Sequence, residues 1–286
     1  MKKAHFIVGC GYTGLVLARD LVSRGERVIG TTRDPKRLDE IAATGAEPQL
    51  FSFEQGIWPK AHLQAVYVLA TAPPEPDAVF ARGEFLMRHL ADVPTVVVVS
   101  TGLYGRVDGI VTEMTLPRPK TPRERALALW DATVLHMRQS QGTPISVVRT
   151  PAIYGPERCF KRALQSGEAK VLLDAPLTSR IHVADLASLL RAMATKSAPP
   201  ILLACDEEAA PTRRVMDEAA RLLGLAGPRR ISASQAHLHF SARGLEMRRA
   251  GRNCVSQVRA HLQPQLRFPT YREGLRGALG VNPDSP

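Results

Sequence analysis

The stretch "HFIVGCGYTG", residues 5–14, sets three glycines between two segments of different periodicity. The mostly apolar run at 4–8 is typical of a buried strand, and the apolar residues after Gly14 recur with helical spacing. In such a strand–turn–helix unit, Gly9 permits a tight turn, Gly11 leaves bare backbone for a ligand, and Gly14 lets helix and strand pack closely. Free N–H groups at the start of a helix attract phosphate. The pattern predicts a dinucleotide-binding loop, with a purely structural glycine turn as the alternative.

The end of the second predicted strand, at 27–33, bears on which dinucleotide is bound. Arg33 stands where a guanidinium suits the 2′-phosphate of NADP, and Arg37 could assist. Asp34 follows directly and could serve the ribose of NAD instead. We expect NADP, with NAD as the second choice. The predicted cofactor-binding residues are Gly9, Cys10, Gly11, Tyr12, Thr13, Gly14, Thr32, Arg33, Ala70, Thr71, Ala72 and Ser100.

Composition limits the classes of partner. The chain has 286 residues and a net charge of +11, which favours a small anionic ligand. Its arginines are scattered without an aromatic platform, so nucleic acid is not expected. The apolar segment after Lys2 and Lys3 is shorter than the roughly 7–15 residues of a signal peptide. No apolar run approaches the roughly 20 residues of a membrane span, so a cytoplasmic protein without membrane contact is expected.

The four cysteines, at 10, 159, 205 and 254, are far apart in the sequence. They show no C-x-x-C pair and no metal-ligand spacing, so free thiols and no metal site are expected. Cys10 lies inside the glycine loop and is interpreted as a small spacer. A redox thiol is the alternative, because a helix N-terminus can lower a thiol pKa.

Strand and helix patterns alternate along the chain, which predicts an open parallel sheet. Strands are expected at 4–8, 27–33, 65–71, 95–100, 145–150 and 200–206, and helices after Gly14 and at 78–91, 123–137, 183–193 and 212–224. Thr212 is the expected N-cap of the last of these helices, and Gly224 is its expected stop. The fold class is α/β: a Rossmann-like doubly wound parallel sheet at 1–155, with a smaller C-terminal α/β substrate lobe at 156–286. Strands of that lobe are expected to return to the main sheet.

Four further stretches together resemble the extended short-chain dehydrogenases/reductases, in particular the sugar-nucleotide epimerase/dehydratase-like proteins. They are "VVVVSTGLYG" (96–105), "VVRTPAIYGP" (147–156), "SRIHVADLASLL" (179–190) and "PTYREGLRGAL" (269–279). The resemblance places Ser100 at the family's hydroxyl position before Tyr104-Gly105, and Asp185 at its usual acidic position. It implies hydride transfer with a nicotinamide cofactor.

The chain is identified as an atypical member, because the catalytic Tyr-x-x-x-Lys pair is missing. Arg123 falls at the tyrosine position and Leu127 at the lysine position, and neither side chain can exchange a proton at neutral pH. Ser100 remains as a candidate to hold a substrate carbonyl. Tyr104 is a candidate acid/base, with a structural tyrosine as the alternative. Arg123 could bind an anionic substrate group or pair with a surface carboxylate.

Three more residues are candidate substrate contacts by their motif positions: Tyr154, Arg180 and His182. For His182 the preferred interpretation is a partly buried histidine that holds a loop. Two functions stay open: an NAD(P)-dependent oxidoreductase or epimerase-like enzyme on a small, possibly sugar-nucleotide-derived substrate, or a catalytically silent NADP(H) sensor. The resemblance also implies a possible homodimer through the helices at 78–91 and 123–137.

Overall fold

A computed structural model gives the architecture of the chain. It describes residues 2–54, 58–59, 61–70, 75–90, 92–263 and 265–281. The strands are β1 (Ala4–Val8), β2 (Arg27–Thr32), β3 (Glu47–Leu50), β4 (Leu63–Val68), β5 (Thr95–Ser100), β6 (Ile110–Val111), β7 (Ile145–Thr150), β8 (Ala152–Tyr154), β9 (Lys170–Leu172), β10 (Leu177–Thr178), β11 (Arg180–His182), β12 (Ile201–Leu203), β13 (Ala210–Pro211), β14 (Arg229–Ile231) and β15 (Asn253–Cys254). The helices are α1 (Tyr12–Ser23), α2 (Leu38–Ala42), α3 (Pro76–Leu90), α4 (Pro122–Gln141), α5 (Lys161–Gln165), α6 (Val183–Met193), α7 (Thr212–Leu223), α8 (Ala236–His239), α9 (Ala242–Arg249) and α10 (Tyr271–Leu279).

Seven parallel strands form the central sheet, in the order β12-β7-β5-β4-β1-β2-β3. The order reverses at β1, so the chain winds outward in both directions, as in a doubly wound fold. All five residues of β1 are buried, as is the whole of β7, because helices cover both faces of the sheet. The predicted Rossmann-like α/β sheet is confirmed.

The two faces of the sheet carry separate helix layers. On one face α1 packs against α6, with Leu17, Leu21 and Leu190 in a core that also takes residues from the sheet. On the other face α3 packs against α4, around Leu86 and Trp130. The glycine loop before α1 and the start of α4 therefore belong to opposite helix layers that meet at the carboxyl ends of the strands.

The C-terminal part forms a smaller lobe of α and β elements. Helices α5, α7 and α10 pack together around Val215, Tyr271 and Leu275. Strand β12, however, pairs with β7 and extends the main sheet, as expected for a strand that returns from the second lobe. The division at residue 155 stays a prediction.

Two local expectations were wrong or incomplete. Pro211, not Thr212, is the N-cap of α7, and the Thr212 hydroxyl instead accepts a hydrogen bond from Arg180. Strand β3 was missed because its sequence, Glu47–Leu50, lies at the exposed edge of the sheet and has no apolar alternation. The predicted stop of α7 at Gly224 is confirmed, with φ at 64°.

The part of the chain that the structure describes contains no helix with the length and apolar character of a membrane span.

Candidate functional site

The three glycines of the loop have three different environments. Gly9 has φ of +85°, and a Cβ there would lie 2.9 Å from the backbone nitrogen of Ala70 at the end of β4. A Cβ on Gly14 would lie 3.3 Å from both Cγ2 of Ile7 and the carbonyl oxygen of Gly9, so helix and strand are in close contact there. At Gly11 a Cβ would meet nothing within 4 Å. The loop therefore presents open backbone at Gly11, which a bound group could approach.

Helix α1 begins without a cap. Gly11 is its N-cap residue, no side chain caps it, and no acidic residue lies in its first turn. The first intrahelical bond runs from the Leu15 N–H to the Gly11 carbonyl at 2.8 Å. The N–H groups of Tyr12, Thr13 and Gly14 therefore have no acceptor within the helix, and they carry the positive end of its dipole. This arrangement suits an anion.

Thr31, in β2, holds the loop in place. Its hydroxyl accepts from the Gly9 N–H at 3.1 Å and donates to the Ile7 carbonyl at 3.0 Å, and its own carbonyl accepts from the Cys10 N–H at 2.7 Å. The neighbouring Thr32 was the predicted contact, and Thr31 was missed. Its contact with the loop depends on the pairing of β2 with β1, which the sequence of one segment does not show.

Cys10 is 1% exposed and packs under the loop, against Gly14 and Gly30. Burial raises the pKa of its thiol to about 11, and the nearby Arg37 and Arg19 offset this only in part. Almost no thiolate is present at neutral pH, so the geometry supports the spacer interpretation over the redox one.

Of the charged residues that follow β2, Asp34 and Arg37 bind other parts of the chain, whereas Arg33 is exposed to solvent. The Asp34 carboxylate accepts from the Lys36 N–H at 3.0 Å and so caps the short turn that follows. The Arg37 guanidinium pairs with Glu40 at 2.8 Å. Arg33 is exposed, and within the described ranges its side chain makes no hydrogen bond or ion pair.

A cavity of about 390 Å³ lies at the carboxyl ends of β4, β5 and β7, against the first turns of α4. This volume is within the range of small-molecule sites. Its wall is mostly apolar, and its polar residues are Glu75, Ser100, Arg123 and Thr150. Ala70 lines it as well, whereas Thr71 and Ala72 lie outside the described residues. Glu75, Thr150 and Trp130 were not expected in the site, because only the folded chain brings these distant positions together.

Arg123 and Leu127 both line this cavity, together with Ser100. They are four residues apart on α4 and so lie on one face of the helix. A capping box sets the start of that helix: the Thr121 hydroxyl accepts from the Glu124 N–H at 3.3 Å, and the Glu124 carboxylate accepts from the Thr121 N–H at 3.1 Å. The Ser100 hydroxyl accepts from the Gly102 N–H at 3.1 Å.

Tyr104 lies away from the cavity wall and is fully buried. Its hydroxyl accepts from Arg149 at 2.8 Å and donates to the Thr112 carbonyl at 3.2 Å. Arg149 in turn makes a bidentate pair with buried Asp131, at 2.9 and 2.7 Å. Burial raises the pKa of Tyr104. These contacts support the structural alternative for Tyr104 and give a substrate no access to its hydroxyl.

The other three candidates, Tyr154, Arg180 and His182, are buried. Arg180 is 3% exposed, and its guanidinium donates to the Ala210 carbonyl at 2.8 Å and to the Thr212 hydroxyl at 3.1 Å. The Tyr154 hydroxyl lies 3.4 Å from the Thr270 carbonyl, which it faces as a donor. In this arrangement both side chains hold the lobe together.

His182 caps α6: its Nδ1 accepts from the Ala184 N–H at 3.2 Å. Burial lowers the pKa of His182 to about 4, with a smaller contribution from Arg267, so the ring is neutral at pH 7. The expected loop-holding histidine matches this geometry. Its Nε2 is buried and has no hydrogen-bond partner in the described part of the chain.

Two buried carboxylates stand near these residues. Asp185 accepts from the backbone N–H groups of Arg267 and Phe268, at 2.8 and 3.0 Å, and so fixes the loop before α10. Asp206 is 3% exposed, and neither of its oxygens makes a hydrogen bond of normal geometry to the described residues. Burial raises the pKa of Asp206 to about 8, although the Arg180 guanidinium opposes the shift.

No protein-family model matches the chain, and no curated protein sequence matches it. Solved structures do match it over almost its full length. A functionally unknown conserved protein from Silicibacter pomeroyi DSS is 28% identical, with a TM-score of 0.83, and the match covers 98% of this chain and 99% of that one.

Two characterised structures are similar in fold at low identity. Human epimerase family protein SDR39U1 (isoform 2), solved with NADPH, is 15% identical with a TM-score of 0.77, covering 98% of this chain and 100% of that one. UDP-glucuronic acid 4-epimerase from Bacillus cereus, solved with UDP-glucuronic acid and NAD, is 14% identical with a TM-score of 0.73, covering 97% and 98%. The chain therefore shares the fold of nicotinamide-dependent sugar-nucleotide epimerases.

Proposed function

We propose that the chain binds NADP(H) along the loop from Gly9 to Gly14 and acts on a small anionic substrate in the cavity beside it. One observation carries the proposal: the uncapped N-terminus of α1 and the cavity of about 390 Å³ open at the same edge of the sheet. Ligands of open α/β sheets bind at this edge. Structures of the same fold hold NAD or NADPH.

The preference for NADP rests on Arg33. Its exposed guanidinium makes no hydrogen bond or ion pair to the described residues, although its charge acts on nearby Glu54, whereas Asp34 is engaged as a cap. A guanidinium binds a phosphate through paired charge-assisted hydrogen bonds, each worth about 1.5–3 kcal/mol. Arg33 is therefore the proposed contact for the 2′-phosphate.

Substituting Arg33→Ala tests this preference. NADPH binding should weaken at least tenfold in calorimetry, because about 1.4 kcal/mol is a factor of ten, while NADH binding changes little. Lys36→Ala is the matched control, since it removes an exposed positive charge three residues away. Equal losses in both variants, or an undiminished NADPH affinity in Arg33→Ala, would contradict the assignment.

The proposed reaction is oxidation–reduction or epimerisation of a hydroxyl or carbonyl group on a substrate related to the sugar nucleotides. A bound nicotinamide would supply hydride transfer. Ser100 would hydrogen-bond the reacting oxygen, and Arg123 would bind an anionic group, since both line the cavity. Three buried side chains would support the wall on the substrate side of the site without contacting the substrate: Tyr154, Arg180 and His182.

A silent NADP(H) sensor is the second candidate. It is favoured by the cavity wall, because Arg123 and Leu127 line it and are the residues that the sequence resemblance assigns to the catalytic tyrosine and lysine positions. Tyr104, in addition, is buried away from the cavity. Trp130 lines the cavity, so bound NADPH should quench its fluorescence. Quenching combined with NADPH oxidation on a panel of aldehydes, ketones and nucleotide sugars supports the enzyme. Quenching without oxidation on any of them supports the sensor.

A further inference from the structure

The first residue of α1 touches a segment of the second lobe. The Tyr12 hydroxyl donates to the Pro156 carbonyl at 2.7 Å, across 144 residues of chain. The segment after Pro156 turns back on itself, since the Arg158 N–H donates to the Gly155 carbonyl at 2.9 Å and the two residues form a β-bridge. We call residues 155–160 the strap. It passes directly beside the uncapped end of α1.

The strap places the Arg158 guanidinium beside the N-terminus of α1. The Arg158 guanidinium carbon lies 4.2 Å from the centroid of the Tyr12 ring. Arg158 is exposed, and among the described residues no carboxylate forms an ion pair with it. Glu157 is also near Tyr12, where its charge acts on the hydroxyl, but it does not pair with Arg158. A guanidinium and the positive end of a helix therefore converge at this place.

A second, independent feature marks the same junction. A Cβ on Gly155 would lie 2.7 Å from the Tyr12 hydroxyl oxygen and 3.4 Å from Nε2 of His182. His182 is 4% exposed, and its Nε2 has no hydrogen-bond partner in the described ranges. Because Nδ1 accepts from the Ala184 N–H, the neutral ring carries its proton on Nε2. An orphan donor is thus buried where the strap meets the loop, and buried donors normally bind protein, water or ligand.

We infer that Arg158 is a clamp from the second lobe on the diphosphate of the dinucleotide. The bare N–H groups of α1 would bind the diphosphate from one side, and the Arg158 guanidinium would close on it from the other. The Tyr12 ring would hold the guanidinium in place, and the Tyr12 hydroxyl would keep the strap attached. This inference rests on the proposed function, and it adds a binding residue outside the glycine loop.

Two probes separate the diphosphate from the 2′-phosphate: NADH has only the former, and adenosine 2′-monophosphate has only the latter. Substituting Arg158→Ala should weaken NADPH and NADH binding by the same factor, about tenfold or more, and leave adenosine 2′-monophosphate unaffected. Arg158→Lys keeps the charge and should recover part of the loss. Arg162→Ala is the control, because it removes an exposed charge from the adjacent helix α5 and should bind all three probes as the wild type does.

Different negative results overturn the cofactor proposal and the Arg158 clamp. If the wild type binds neither NADPH nor NADH, the proposed function itself fails. If it binds them and Arg158→Ala binds them equally well, the clamp is overturned and the cofactor proposal stands. Equal losses in Arg158→Ala and Arg162→Ala, or a matching loss for adenosine 2′-monophosphate, would also overturn the clamp, because the effect would then be one of general charge.

Discussion

At the scale of single residues, the site is built from groups whose roles depend on burial as much as on identity. Cys10 and Tyr104 are reactive residue types in suggestive motif positions, yet both are buried and their pKa values are raised. Arg33 and Arg123 stay exposed and able to meet a ligand. Of the predicted residues, Ala70, Ser100 and Arg123 line the cavity, whereas Tyr104 does not. The sequence could not predict the exposure of these residues, because exposure depends on packing between distant segments.

The pH dependence of unfolding tests whether burial keeps Asp206 protonated in the folded chain. Burial raises its pKa to about 8 in the folded chain, well above the roughly 3.9 of an unfolded aspartate. The folded state therefore holds a proton that the unfolded state has released, so this contribution to stability is present at low pH and is lost as pH rises towards 8. Asp206→Asn has no proton to lose.

Urea unfolding at about pH 5 and at about pH 8 measures how the free energy of unfolding changes with pH in the wild type and in Asp206→Asn. The free energy of unfolding of the wild type should fall more between these values than that of Asp206→Asn, and the variant should be the more stable of the two at the higher pH. Parallel pH dependences in the two proteins would show that Asp206 is ionised in the folded chain.

At the scale of elements, the five helices and six strands that periodicity predicted are present, and their predicted and observed bounds differ by only a few residues. Helix α6, for example, was expected at 183–193 and spans Val183–Met193. Strand β3 and the contact of Thr31 with the loop were missed for a common reason. Both depend on pairing with a neighbouring strand, which a single segment of sequence does not encode.

The capping box of α4 fixes the start of a helix that lines the cavity and packs in the core. Its loss should therefore lower the stability of the whole fold. Removing the hydroxyl with Thr121→Ala should lower the free energy of unfolding by about 1 kcal/mol, because an N–H at the helix start then lacks its acceptor. The control is Ser241→Ala, which removes the cap of α9. That helix has no buried residue, so it can fray locally and the global unfolding midpoint should move less. Equal shifts of the unfolding midpoint in Thr121→Ala and Ser241→Ala would contradict this expectation.

At the scale of the whole molecule, the proposed site combines residues of the doubly wound sheet with the strap from the C-terminal part of the chain. The sheet supplies the loop at Gly9–Gly14 and the wall at Ser100, and the second lobe supplies the strap. The fold class was predictable because strand and helix patterns alternate along the sequence. The homodimer through α3 and α4 stays a prediction. Phe80, which is 50% exposed on α3, is a suitable contact for it.

The central claim is that bare backbone at Gly11 holds the diphosphate of a nicotinamide dinucleotide. Gly11→Asp tests it most directly, because a Cβ at this position would meet nothing within 4 Å. Aspartate is also a favoured N-cap residue, and it would place a negative charge at the positive end of α1. Gly11→Asn is the uncharged control.

Calorimetric titration with NADPH and NADH, alongside urea unfolding of each protein, is the decisive measurement. We predict saturable binding of NADPH by the wild type, weaker binding by Gly11→Asn and no binding by Gly11→Asp. The Gly11→Asp variant should nevertheless be at least as stable as the wild type. Undiminished NADPH binding by Gly11→Asp, or no heat from the wild type with either nucleotide at millimolar concentration, would contradict it.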